Sequence, residues 1–431
     1  MNRRDFLLTV SAAAALPSVS LARGQYELVA EAVEAQILPS AEYAATRSFG
    51  FNGGLPGPEI RVPQGQQLDV LLRNQLNEGT AVHWHGIRLQ NAMDGVPILT
   101  QEIVDPQSTH AYQFTPPDAG TFWYHSHYMS HEQVARGLMG PLIVEETNPP
   151  DVDHDITAVL ADWRLDETGQ TTDDFATMHD VAHAGRMGNF ARAFLPDVSL
   201  RKGQRIRLRM INAATDRIFP LTLTGLKGKV VALDGMPLSS PREFEAIDLA
   251  PAQRADVIAD VEDTPEIAMA TREGSYLLGQ IAIEGDVEPR ASAIQMLPPN
   301  DIPHPRNVTQ DLILTMQGGA MGGRHGGDNI WAFNDLSDLQ LVPFARFERG
   351  ETARIRLVNA TSFPHGIHLH GHHFFEAHDD GSLGDLRDTT LVQAGETKDI
   401  VCVFDNPGKW MLHCHMLSHQ AGGMKTWVEV L

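Results

Sequence analysis

The chain has 431 residues, of which 42% are hydrophobic and 20% charged, enough apolar material for about three domains at roughly 150 residues each. Its 33 basic against 55 acidic side chains give a formal charge of −22, which repels phosphate backbones and anionic lipid surfaces and sets nucleic acid aside as a partner. The acidic balance suits neutral or cationic small reductants and, more generally, solubility.

The first 22 residues read as a targeting segment. Arg3-Arg4-Asp5-Phe6-Leu7-Leu8 precedes a short apolar run from Ala12 to Leu16, and Ser20-Leu21-Ala22 ends in the small residues a signal peptidase accepts. This pattern predicts a twin-arginine signal, passage through the twin-arginine export machinery, and a periplasmic or otherwise exported protein. No later stretch approaches the roughly 20 apolar residues of a membrane span, so no stable membrane insertion is expected.

One pattern then occurs three times at domain-sized spacing: residues 65–74 (GQQLDVLLRN), 203–212 (GQRIRLRMIN) and 350–359 (GETARIRLVN). Each copy is a glycine turn, a run of alternating apolar residues and a closing asparagine. Such runs, broken by turns such as Asn406-Pro407-Gly408, predict an all-β chain of three tandem antiparallel β-sandwiches. Their expected limits are 23–147, 151–297 and 304–431, with proline-rich joints at Pro149-Pro150 and at Pro298-Pro299 to Pro303.

The three copies diverge after the asparagine. The first reaches His83-Trp84-His85-Gly86 and the third His365-Gly366-Ile367-His368-Leu369-His370-Gly371, whereas the second reads Phe219-Pro220-Leu221-Thr222-Leu223. The middle unit is therefore expected to be structural and the outer two to carry the chemistry. Four non-overlapping His-x-His pairs occur among 20 histidines: His83/His85, His125/His127, His368/His370 and His413/His415. On a strand, alternation aims both rings of a pair to one side, so two pairs from each outer unit can assemble a metal centre.

Imidazole alone does not decide between zinc, copper, iron and nickel. The C-terminal run from His413 does, because Cys414, His419 and Met424 offer one thiolate, one imidazole and one thioether, which with His365 make the donor set of a blue copper site. Zinc takes no thioether and more often a second cysteine. Cys402, the other cysteine, sits in the apolar run Ile400-Val401-Cys402-Val403-Phe404 and reads as a free core residue, not as a disulfide partner.

With these segments in order along nearly the whole chain, the sequence resembles the three-domain multicopper oxidases, the family of laccases, copper-efflux oxidases and copper-resistance oxidases. The resemblance implies cupredoxin-like Greek-key sandwiches and four copper ions. It implies His365, Cys414, His419 and Met424 at a type 1 copper, His83 and His368 at a type 2 copper, and His85, His125, His127, His370, His413 and His415 at a type 3 pair. It implies single-electron oxidation of a reductant at the type 1 site, passage of electrons through Cys414 to its neighbours His413 and His415, and four-electron reduction of dioxygen to water. Asp94 falls where the family has an acid near the type 2 copper, although an Asp-Gly pair is also simply a turn former. Gln420 departs from the pattern, since bacterial relatives commonly carry a glutamate there and an amide cannot supply a proton. Trp84, Trp123 and Tyr124, beside the ligands, read as packing around them and not as electron relays.

The reductant is less defined. Met316, Met321 and His325 lie in a glycine-rich stretch ending at Asp328, and Met178, His179, His183 and Met187 form a second soft cluster. Thioethers favour Cu(I), which makes copper resistance one reading; phenols, aromatic amines and Mn(II) are the others. Two further classes compete with the oxidase: a copper-sequestering protein, and a structural relative without copper.

Overall fold

The computed structural model describes residues 25–244, 246–320 and 330–431. The targeting segment and the positions Met321, Arg324, His325 and Asp328 lie outside the described residues.

The ten-residue repeat builds the same corner three times. Each copy enters through a glycine at positive φ (Gly65 76°, Gly203 92°, Gly350 84°) and runs into the strands Leu68–Asn74, Arg205–Asn212 and Glu351–Asn359. The closing asparagine accepts, through its side-chain carbonyl, the N–H two residues on: Leu76 at 3.0 Å, Ala214 at 2.9 Å and Thr361 at 3.0 Å. Its amide donates across the corner to the carbonyls of Glu78 and Val104, of Arg217 and Leu249, and of Phe363 and Gln393. A buried asparagine thus satisfies backbone groups where the chain leaves the sheet, and an aliphatic residue there would orphan them at about 1–3 kcal/mol each.

Each of these strands pairs in parallel with the first strand of its unit (Gln25–Ala35, His154–Trp163, Val308–Gly318) and antiparallel with a later one (Thr109–Phe114, Arg254–Thr271, Thr397–Phe404). The sheets are therefore mixed and not purely antiparallel as the alternation predicts. The reason is topological: between Gln25–Ala35 and Leu68–Asn74 the chain contributes Ile60–Pro63 to the opposite sheet, and it returns in its original direction.

The outer units share one continuous apolar core that includes Trp84, Phe122, Ile367 and Trp410, while the middle unit has its own around Leu208, Phe219 and Val257. The middle unit is tied to the first by a buried ion pair, Arg207 to Glu146 at 2.6 Å, with Asp256 of the middle unit holding the same guanidinium at 2.6 Å. Removing one partner of such a pair costs about 3–5 kcal/mol because a bare charge is left inside. The second joint is stitched down: Leu297 is buried against Val231 and Ile258, and the Asn300 side chain bonds both the N–H and the carbonyl of Ala119.

Two strand pairings position the site. Val82–His85 lies antiparallel to Gly120–Ser126 with His83 opposite His125, and His365–Leu369 lies antiparallel to Gly408–Cys414 with His368 opposite His413. The histidines of each outer unit thus come from adjacent strands of a single sheet or, for His127, His370 and His415, from the residue just past a strand end. Among the described residues no helix is long and apolar enough to cross a membrane.

Candidate metal centres

The first constellation gathers at the end of the strand Gly408–Cys414. Cys414 Sγ lies 3.6 Å from His365 Nδ1 and 3.7 Å from His419 Nδ1, and these two nitrogens are 3.0 Å apart. All three side chains and Met424 are buried. The loop from 414 to 424 is closed by the Cys414 N–H, which donates to the Met424 carbonyl at 3.0 Å, and the helix Leu417–Ala421 within it carries His419.

The far nitrogens of both imidazoles are tied. His419 Nε2–H donates to the His183 carbonyl at 2.7 Å, leaving the lone pair on Nδ1, and His365 Nε2 bonds the Thr361 hydroxyl at 2.9 Å. Burial pushes His365 well below its ordinary value and His419 down to about 4, and pushes the Cys414 thiol up. Without metal the group is therefore a neutral thiol facing two neutral rings. Binding a soft cation releases the thiol proton and relieves the repulsion of facing lone pairs.

The second constellation holds the eight histidines of the four His-x-His pairs. His127, His370 and His413 bring one nitrogen each to within 4.8 Å of one another, with His370 Nε2 and His413 Nε2 3.0 Å apart. His415 Nε2 faces His125 Nε2 at 3.4 Å, and the His85 ring centre is 4.9 Å from that of His415. His83 and His368 sit between, their ring centres 5.9 Å apart.

Six of the eight outward nitrogens are again occupied, those of His127 and His415 being the exceptions. His83 Nδ1 donates to the Asp94 carbonyl at 2.8 Å, His370 Nδ1 to Asp94 Oδ2 at 3.0 Å, His368 Nδ1 to the Asp388 carbonyl at 2.8 Å and His85 Nε2 to Asp388 Oδ1 at 3.2 Å. His125 Nδ1 and His413 Nδ1 donate to the carbonyls of Ser126 and Cys414, both at 2.9 Å. Inward, His83 Nε2, His368 Nε2 and His85 Nδ1 have no hydrogen-bond partner although buried. Burial pushes His368 below its ordinary value, and His85, His125, His127, His370, His413 and His415 well below it, so their inner nitrogens are bare acceptors. An orphaned acceptor costs about 1–3 kcal/mol, and a set of them facing one another is the signature of a cation site.

Asp94 is only 1% exposed and caps the short 3-10 helix Asn91–Met93, so it is both turn former and part of the site. Gly95 holds a φ of 82°, and a Cβ there would lie 1.8 Å from the Val82 carbonyl, which lets the Asp-Gly turn pack against the strand of His83. Gln420 accepts a hydrogen bond from the Ser130 hydroxyl at 2.9 Å and lines a cavity of about 400 Å³ that reaches His127 past Val96, Ile98, Tyr128 and Met129. Trp123 packs on His125 with ring centres 4.3 Å apart, while Trp84 and Tyr124 belong to the shared core. Cys402 is free and buried.

The soft-ligand reading of the glycine-rich stretch is corrected at one position. Met316 lies inside the strand Val308–Gly318, is fully buried in the shared core, and belongs to no loop. The other cluster is at the surface: Met178 is 62% exposed, the rings of His179 and His183 are 4.3 Å apart, and it is the His183 carbonyl that holds His419.

Three residues at the centres escape sequence reasoning. Asp388 touches His85 and His368, as given above. Asp216, from the middle unit, accepts the Ser418 N–H at 3.0 Å and the Ser418 hydroxyl at 2.9 Å, fixing the helix of His419. Trp331 lies over that ring with centres 4.4 Å apart. An Arg-Asp pair between two strands, such as Arg387-Asp388, reads as a surface turn, and only its burial shows otherwise.

Sequence profiles described as multicopper oxidase match residues 32–149, 154–273 and 307–431. Multicopper oxidase MmcO of Mycobacterium tuberculosis is 30% identical over 88% of this chain and 82% of its own length. Copper resistance protein A of Pseudomonas syringae pv. tomato is 25% identical over 100% and 99%. Among solved structures, Lac15 from a marine microbial metagenome is 54% identical with a TM-score of 0.82, covering 94% of this chain and 100% of that one. A multi-copper oxidase from Pseudomonas Thermotolerans is 32% identical with a TM-score of 0.85, covering 96% and 100%. The chain belongs to the multicopper oxidase family. It is a copper-dependent oxidoreductase with dioxygen as acceptor, built on cupredoxin-like sandwiches and binding several copper ions. The donors suit that metal: a thiol, imidazoles with bare nitrogens and a buried thioether are ligands copper takes and magnesium or calcium do not.

Proposed function

We propose that the chain holds four copper ions and couples single-electron oxidation of a small reductant to the reduction of dioxygen to water. His365, Cys414, His419 and Met424 hold the type 1 ion; His83 and His368 hold the type 2 ion. His127, His370 and His413 hold one ion of the type 3 pair and His85, His125 and His415 the other. The supporting observation is the convergence of these side chains, from both outer units, in two buried constellations joined by the segment 413–415. Copper, once bound, supplies the one-electron redox chemistry, four electrons being matched to one dioxygen and two waters.

The chain's own residues do the rest. Cys414 joins the centres, because its carbonyl accepts the His413 Nδ1–H at 2.9 Å while its sulfur faces His365 and His419. The Asp94 carboxylate, which accepts the His370 Nδ1–H at 3.0 Å and lies 3.2 Å from His83 Nδ1, is a proton-transfer group at the eight-histidine centre. The Gln420 amide, bonded to Ser130 in the cavity that reaches His127, cannot donate a proton as an acid does, so protons on that path come from water or another carboxylate. The sandwich limits 23–147, 151–297 and 304–431 and twin-arginine export to the periplasm belong to the same proposal.

For the reductant, Cu(I) is favoured by one observation: the exposed Met178 and His179 sit on the segment whose His183 carbonyl bonds His419. Thioether and imidazole are ligands for a cuprous ion. Oxygen uptake should be measured with Cu(I), Mn(II) and a phenol, before and after Met178→Ser with His179→Ser. The expected result is uptake with Cu(I) at a KM that rises about tenfold in the double variant, as the loss of two soft ligands implies, with phenol turnover unchanged. Copper binding without oxygen uptake on any donor would instead mark a sequestering protein.

A further inference from the structure

The middle unit contributes none of the eight histidines, yet one of its side chains reaches beneath them. Arg254, at the start of the strand Arg254–Thr271, is fully buried and spends its guanidinium on all three units. Nε–H donates to the Thr121 carbonyl of the first unit at 3.0 Å, and Nη1–H to the Ala252 carbonyl of its own at 3.1 Å. Nη1–H and Nη2–H grip Asp388 of the third unit, at Oδ1 (2.9 Å) and Oδ2 (2.6 Å). A bidentate fork of this kind fixes both the charge and the plane of a carboxylate, which an ammonium cannot do.

Asp388 is where two units' histidines meet. Its Oδ1 takes the His85 Nε2–H at 3.2 Å, its carbonyl takes the His368 Nδ1–H at 2.8 Å, and the two rings stack with centres 3.8 Å apart. The nitrogens left over, His85 Nδ1 and His368 Nε2, are both without a partner. Burial alone would raise the Asp388 carboxyl, but Arg254 and His85 hold it well below the usual carboxylate range. Gly86 has a φ of 84°, and a Cβ there would come within 2.4 Å of Arg254 Nη2 and 2.5 Å of Asp388 Oδ2, so the backbone of the His-Trp-His-Gly segment lies directly on this ion pair.

We infer that Arg254 is a positioning residue for copper loading: by gripping Asp388 it holds His85 in the Nε2–H form and keeps His85 Nδ1 bare toward the type 3 site. This rests on the ligand assignment proposed above. Without the guanidinium, Asp388 has neither counter-charge nor fixed plane, and His85 loses the acceptor that sets its tautomer. The middle sandwich is then not merely a spacer, since it supplies the cation that completes a centre formed by the other two.

The test uses full-length protein grown with copper, in wild type, Arg254→Gln, Asp388→Asn and the double variant. Copper per chain, the blue type 1 absorbance and the near-ultraviolet band of the coupled type 3 pair are recorded. Each single variant is expected to keep the blue absorbance, which reports an intact fold at Cys414, and to lose type 3 copper, with affinity lower by about 10–100-fold. The double variant, which still lacks a gripped carboxylate, is expected to lose type 3 copper as the single variants do while keeping the blue absorbance; recovery of the type 3 band on removing both charges would mark a purely structural ion pair and overturn the inference. Full type 3 loading in Arg254→Gln overturns the inference. If that variant does not fold, full type 3 loading in Asp388→Asn overturns it equally. A wild type lacking the type 3 band would instead sink the ligand assignment itself, before any variant is compared.

Discussion

Cys414→Ser is expected to give a folded protein without blue colour and with oxygen uptake at background, still carrying copper among the eight histidines. The sulfur is the only thiol within reach of His365 and His419, at 3.6 and 3.7 Å, and the other cysteine is buried elsewhere in the shared core. A hydroxyl is a poor ligand for a soft ion and leaves two imidazoles and a thioether with no anionic donor. Six of the eight histidines are held by Asp94, Asp388 and backbone carbonyls, and a side-chain substitution at 414 removes none of these acceptors. Separate determination of copper content and visible absorbance checks both halves; retained turnover in Cys414→Ser would refute the electron route through this residue.

Asp94→Asn is expected to have the next largest effect and to act at the opposite step. The amide is nearly isosteric and keeps the turn, so the fold and the Cys414 site should be unchanged. It is neutral and shares its hydrogen bonds differently, so it no longer serves His83 and His370 as a proton-transfer group. General acid–base contributions of this kind are worth about 10²–10⁴-fold. Anaerobic bleaching of the blue absorbance by a phenol should proceed at the wild-type rate, while its return on admitting dioxygen slows by about that factor. Unchanged reoxidation would show that Asp94 is only a turn former.

Much of this was legible in the residues. The repeat of glycine, alternating strand and asparagine specifies three similar corners because each asparagine satisfies a set of backbone groups that no aliphatic residue could. Both outer units set the first histidine of each pair on neighbouring strands of one sheet, while His127, His370 and His415 fall just past the strand ends, where alternation no longer dictates direction. Strand alternation does not encode the direction of the neighbour, which is why the parallel pairings were not foreseen. Nor does it distinguish a methionine in a strand from one in a loop when glycines follow at once, and Met316 proved to be core. The least legible residues are those whose role exists only after three units dock. Asp388, Arg254 and Asp216 each come from segments with no local signature, and each takes a partner from another unit, Arg254 and Asp388 being 134 residues apart and Asp216 and Ser418 202.

Anomalous diffraction from crystals of the copper-loaded protein, recorded at the copper edge, addresses the assignment of the ligands without relying on turnover. The expected map has one peak bounded by His365, Cys414 and His419, and three more enclosed by the eight histidines. A map with no peak beside Cys414, or with that sulfur joined to Cys402, would contradict it.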